Sequence, residues 1–158
     1  MFFRIGGMKK MAVIRKNALV PYTPTQMFEL VNRIEDYPYF LPWCKETTVY
    51  SRSDHEVKAR VVVAKGVVEH AFITVNRLQR DKMIEMRLLE GPFRHLEGFW
   101  QFDTVEEGGC SVYFNLEFEF SNKLINLTSG PVLQKIAASF IEAFCERAKT
   151  LYGDYDVE

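Results

Sequence analysis

The stretch VYFNLEFEF, residues 112–120, decides the fold. Val112, Phe114, Leu116, Phe118 and Phe120 alternate with Tyr113, Asn115, Glu117 and Glu119. That period of two turns one face of a strand toward a core and the other toward water. Upstream, LEGFWQF repeats the pattern with Leu96, Gly98, Trp100 and Phe102 on one side, and Ile84, Met86 and Leu88 do so in the preceding segment. Turn markers at Ser53-Asp54, Lys65-Gly66, Arg80-Asp81, Gly91-Pro92 and Gly108-Gly109 divide residues 44–120 into six strands of an antiparallel meander.

Beyond Ser121 the period changes. Leu133, Ile136, Ala137, Phe140, Ile141, Phe144, Ala148 and Leu151 fall on one helical stripe, with Lys135, Glu142, Glu146, Arg147 and Lys149 outside it. Gly130-Pro131 is expected to kink or restart this long helix, and Gly153 to end it. At the other end, VIRKNALV, residues 13–20, reads as a strand stopped by Pro21. Thr23 as N-cap and Pro24 in the first turn then start a short helix carrying Met27, Leu30, Val31 and Ile34. The next piece, YPYFLPWC at 37–44, is held by Pro38 and Pro42 to one helical turn or an ordered loop.

A sheet and a helix with one apolar face each must cover one another. The expected fold is therefore α+β: a curved seven-stranded antiparallel sheet wrapped around a long C-terminal helix, with two short helices after the first strand. Residues 12–153 are expected to form a single domain, 1–11 a loose extension and 154–158 an acidic tail. The large side chains of the concave face, with Gly98 among them, suit a partly hollow interior. An empty void of ~300 Å³, the low end for ligand sites, would cost on the order of 7 kcal/mol. Such a hollow favours a hydrophobic occupant.

The 158 residues are enough to bury a core without disulfides or metal. With 47% hydrophobic and 26% charged residues and a net charge of -1, the composition is that of a globular protein without a general electrostatic attraction to DNA or anionic membrane. Cys44, Cys110 and Cys145 are odd in number and far apart, which fits a reducing cytoplasm. No apolar run approaches the roughly 18 residues of a membrane-crossing helix.

Catalytic signatures are missing. His55, His70 and His95 lack the spacing of zinc ligands, and GPFRHLEG shares only its glycines with nucleotide-binding motifs. Glu69, Glu85, Glu97, Glu117 and Glu119 take outward strand positions, the ordinary solvated face of a sheet. No catalytic residue, catalytic cofactor or metal site is expected. A cyclase that works by shaping its pocket is the enzyme alternative, to be tested by loss of turnover on replacing His70 or Glu69. Arg80, Lys82, Arg87 and Arg94 could meet RNA or phosphate along one edge, although scattered cations ordinarily serve solvation.

The runs ALVPYTPTQMFELVNRIEDYPYFLPWC, GPFRHLEGFWQF, FEFSNKLI and ERAKTLYG resemble the START-like lipid-binding superfamily over residues 17–152. Within it, they are similar to the family that joins mitochondrial coenzyme Q-binding proteins with the bacterial ribosome association toxin RatA. The resemblance implies a helix-grip fold and a tunnel under the C-terminal helix that holds ubiquinone or a related isoprenoid lipid in support of respiration. It also implies an alternative: binding to the large ribosomal subunit, blocked subunit joining, and a small antitoxin partner. A bacterial, cytoplasmic protein is expected, with transient contact at the inner membrane.

In that frame Phe93, Leu96, Trp100, Phe118, Phe140 and Phe144 would line the tunnel. Tyr37, Phe40, Leu41 and Trp43 are either a plug, each burying for roughly 1.5–3 kcal/mol, or a gate over the ligand. Tyr39, Trp43 and Arg94 are the candidate donors to a ligand head group.

Overall fold

The computed structural model describes residues 2–3, 10–106, 108–121 and 129–153. Strand β1, Phe2–Phe3, lies at a sheet edge against β2, Lys10–Val20. Helix α1, Pro24–Asn32, starts on the expected cap: Gln26 N donates to Thr23 Oγ1 at 3.0 Å, and Thr23 N to Gln26 Oε1 at 2.9 Å. A 3₁₀ turn, Ile34–Asp36, leads into the four-residue α2, Tyr37–Phe40. The meander follows as β3 (Cys44–Arg52), β4 (Glu56–Lys65), β5 (Val68–Gln79), β6 (Met83–Glu90), β7 (Phe93–Thr104) and β8 (Cys110–Phe120). Helices α3, Ser129–Ala138, and α4, Phe140–Tyr152, complete the described chain.

The sheet order is β1-β2-β8-β7-β6-β5-β4-β3, antiparallel at every pairing. Register follows the hydrophobic alternation: Leu116 pairs with Ile14 on one side and Gly98 on the other, so apolar side chains share the concave face. Gly98 sits where β7 and β8 press together. A Cβ there would collide with the Asn115 carbonyl oxygen and the Leu116 side chain. Ile136, Ala137, Ile141, Phe144 and Ala148 carry the helices onto the concave face, each at 7% exposure or less.

Three expectations change. Residues 1–11 are not wholly outside the sheet, because Phe2 and Phe3 pair with Met11 and Lys10 and add an eighth strand. The C-terminal helix is two helices, and the break is at Ser139 and not at Gly130-Pro131. Pro131 stands in the first turn of α3, where its missing N–H would have had no helical partner. At Ser139 both the N–H (3.1 Å) and the hydroxyl (2.8 Å) donate to the Ile136 carbonyl, tightening the turn and ending α3. Finally, Leu151 is 47% exposed and leaves the buried stripe. The expected acidic tail, 154–158, lies outside the described residues, as does the side chain of Leu133.

Candidate ligand cavity

Between the concave face and the helices lies a cavity of about 100 Å³. Its floor is β7 and β8, through Phe93, Leu96, Trp100, Phe114, Leu116 and Phe118. Val61 and Val63 of β4, Phe72 of β5 and Met86 of β6 form one side wall, and Ala137, Phe140 and Phe144 form the roof. Ile34, Tyr37, Leu41 and Cys44 close the end beneath α2.

Phe144 joins these walls. Its ring lies 5.0 Å from Trp100, 5.2 Å from Tyr37 and 5.1 Å from Phe40, each nearly perpendicular. Phe40 is also covered by the Arg147 guanidinium, 5.1 Å from its ring centre, so α4 grips α2 from two sides. Behind α2, Arg52 holds the 3₁₀ turn through both oxygens of Glu35 (2.8 and 3.0 Å) and the Asn32 carbonyl (2.8 Å). That hydrogen bonding holds the Glu35 carboxyl below the ordinary carboxylate range.

Eight of the twelve candidate residues line the cavity: Tyr37, Leu41, Phe93, Leu96, Trp100, Phe118, Phe140 and Phe144. Phe40 packs behind it, against Tyr37 and Phe144. The three expected head-group donors lie elsewhere. Tyr39 is 78% exposed, and Trp43 stacks under Lys65 Nζ at 4.9 Å, away from the lining. Arg94 is the extra residue of a bulge between Phe93 and His95, which turns it outward to within 3.9 Å of Glu119.

Sequence reasoning missed two polar residues. Thr74 and Asn76 sit on the concave face of β5 at 8% and 7% exposure, and both line the cavity. The Thr74 hydroxyl donates to Asn76 Oδ1 at 3.1 Å. A bulge opposite Ile73–Thr74 bends the strand pair at this point. Their signal was parity with Phe72 and Leu78, which face the core at the same period of two. Tyr37 donates to the Val31 carbonyl, and its burial drives the phenol pKa far upward. Burial likewise pushes the Cys44 thiol up to about 11.

The outer face also departs from expectation. His95 Nε2 lies 3.8 Å from Glu97 and 3.6 Å from Glu117, so this histidine has carboxylate neighbours that its spacing in sequence did not reveal. Glu119 is only 8% exposed although it takes a wet-face position. Of the four edge cations, Arg80, Arg87 and Arg94 each lie within 4 Å of a carboxylate: Glu29 at 3.3 Å, Glu97 at 3.9 Å and Glu119 at 3.9 Å respectively.

The profile of the polyketide cyclase / dehydrase and lipid transport family matches residues 20–145. Ribosome association toxin RatA of Pseudomonas aeruginosa is 41% identical over 140 residues, spanning 89% of this chain and 97% of its own. The chain belongs to this START-like family. The chain is also similar to the mitochondrial coenzyme Q-binding protein coq10 of Schizosaccharomyces pombe, 25% identical over 150 residues and 90% of each chain. Among solved START-like structures, the 18 kDa protein CC1736 of Caulobacter crescentus superposes with a TM-score of 0.67 at 32% identity, over 92% of this chain and 99% of its own. The Zhui aromatase/cyclase of a Streptomyces species superposes with a TM-score of 0.77 at 13% identity, over 90% and 96%, a likeness of fold alone. The fold is thus the expected helix grip, and the relatives by sequence bear the names of toxins and a binding protein, not of enzymes. No described helix is long and apolar enough to cross a membrane.

Proposed function

We propose that this protein binds a hydrophobic molecule of the polyprenyl quinone class, ubiquinone or a close relative, between its sheet and helices and releases it unchanged. The observation that carries this reading is an aromatic-walled cavity interrupted by one buried polar pair, Thr74 and Asn76. Flat rings and aliphatic stems give contact area without demanding one ligand shape, which suits a flexible isoprenoid. The coenzyme Q-binding relative supports the ligand class. In this reading Phe93, Leu96, Trp100, Phe118, Phe140 and Phe144 form the tunnel wall, with Tyr37 and Leu41 as the gate.

At about 100 Å³ the resting cavity is a third of the ~300 Å³ at which ligand sites begin. Leaving it empty costs at most about 2.4 kcal/mol at 24 cal/mol per Å³. A quinone therefore enters with an outward movement of the roof, and the joint at Ser139 between α3 and α4 is where the roof yields. The protein works in the cytoplasm and meets the inner membrane transiently to exchange its lipid.

Mass spectrometry of organic extracts from protein purified out of a quinone-producing host tests this, followed by titration of delipidated protein with decylubiquinone while monitoring tryptophan fluorescence. Co-purifying quinone and saturable quenching are expected. Lipid-free protein that also ignores added quinone would overturn the reading.

A second reading is favoured by the RatA relatives, which match 89–91% of the chain at 39–41% identity in P. aeruginosa, Escherichia coli and Vibrio cholerae. In it, the outer surface binds the large ribosomal subunit and prevents subunit joining, with a small antitoxin protein as counterpart. Overexpression followed by ribosome profiling separates the two: unchanged subunit joining and no co-sedimentation with the large subunit rule it out.

A further inference from the structure

The concave face of β5 presents Phe72, Thr74, Asn76 and Leu78 in register, two polar side chains between two apolar ones. Among the described residues three strong hydrogen-bonding groups line the cavity, and two of them are already engaged as donors. The Tyr37 hydroxyl donates to the Val31 carbonyl and the Thr74 hydroxyl to Asn76 Oδ1. In this orientation of the amide Oδ1 accepts from Thr74, and among the described residues no hydrogen bond uses the two donors of Asn76 Nδ2. An amide donor that faces an apolar cavity without a partner opposes folding, and an apolar side chain of similar volume would line the same space without that penalty. The arrangement is satisfied when a guest brings an acceptor.

We infer that Asn76, oriented by Thr74, donates a hydrogen bond to an oxygen acceptor on the guest, selecting oxygenated rings over plain hydrocarbons. This inference rests on the ligand-binding reading and specifies it further. The ring carbonyl lies against β5 and the apolar remainder lies along Trp100 and Phe144. Asn76 is the recognition residue and Thr74 the positioning residue, since Thr74 acts by holding the amide. Among the described residues no Lys or Arg lines the cavity, so the selected head is neutral, a carbonyl or an ether, and not a phosphate or carboxylate.

The test compares decylubiquinone with decylbenzene, which carries the same chain on a ring without oxygen, by displacement of a fluorescent probe from wild-type, Asn76→Leu and Thr74→Val proteins. Wild type is expected to prefer the quinone by about tenfold, the worth of one buried hydrogen bond. Asn76→Leu is expected to erase that preference by weakening the quinone alone, while its melting temperature stays level or rises. Thr74→Val is expected to give an intermediate preference. If Asn76→Leu does not fold, an unchanged preference in Thr74→Val overturns the inference. A wild-type protein that binds both probes equally, or a preference that survives Asn76→Leu, overturns it while leaving the ligand-binding reading intact. A wild-type protein that binds neither probe removes both.

Discussion

The ring of Phe144 meets the indole of Trp100 edge-on, with centroids 5.0 Å apart and planes at 74°. This contact ties helix to sheet at the roof of the cavity, and both rings are almost completely buried. Removing one leaves a hole that the rigid sheet cannot refill. Phe144→Ala is therefore expected to cost about 3–5 kcal/mol in urea unfolding, and Phe144→Leu clearly less. A loss under ~1 kcal/mol for the alanine variant would mean that the roof repacks freely.

The grip on α2 can be loosened without emptying the core. Arg147→Met keeps an apolar stem over Phe40 and removes only the charge, which is worth about 0.5–1 kcal/mol against an aromatic face. Stability should change by no more than that, whereas dissociation of a bound quinone should accelerate severalfold in stopped-flow measurements. An unchanged off-rate would show that α2 is a fixed plug.

Cys44 reports on closure. With its thiol pushed up to about 11 by burial, little thiolate exists at neutral pH. Alkylation of Cys44 by iodoacetamide, followed by peptide mass mapping, should be far slower at pH 7.5 than in denatured protein, climb as the pH approaches 11, and be suppressed by decylubiquinone. A folded pKa above the ordinary 9.0 also means that the stabilising effect of the neutral thiol is complete below pH 9 and declines as pH rises toward 11. Labelling at the denatured rate at pH 7.5 would refute this.

The Glu35–Arg52 pair predicts the opposite pH dependence. The folded carboxyl is held low, so its contribution is present near neutrality and disappears as acid protonates it in both states. Glu35 is about half exposed, and solvent screening limits the pair to about 0.5–1 kcal/mol. Arg52→Ala should cost roughly that at pH 7, and the difference from wild type should shrink as the pH is taken below about 4. A mutant penalty that does not vary with pH would assign the effect to the Asn32 carbonyl bond alone.

How far the sequence could be read depended on whether a strict period held. From Val112 to Phe118 it held, and those residues face the core as alternation requires. At Arg94 it failed, because the inserted bulge residue reverses parity: counting in twos back from Trp100 and Leu96 puts Arg94 inside, but the chain turns it outward. Thr74 and Asn76 obeyed the period and were still missed, because polar side chains suggest solvent unless their apolar neighbours Phe72 and Leu78 are counted first. The helix break was legible only as hydrogen bonding. Ser139 has no steric signature such as Pro131 carries, yet it is the residue whose hydroxyl competes for the Ile136 carbonyl. Of the run at 37–44, Tyr37, Leu41 and Cys44 reach the cavity, while Pro38 and Pro42 frame a turn that leaves Tyr39 in water.

Trp43 closes that turn with φ at 65°, a backbone region that bulky side chains rarely enter. Holding it there stores tension on the order of 1–3 kcal/mol at the joint between α2 and β3. Any rearrangement that lets this one peptide unit swing back to an ordinary conformation recovers that energy, so a movement of α2 away from β3 would be assisted by it. Glycine at this position would relax the backbone and withdraw that assistance.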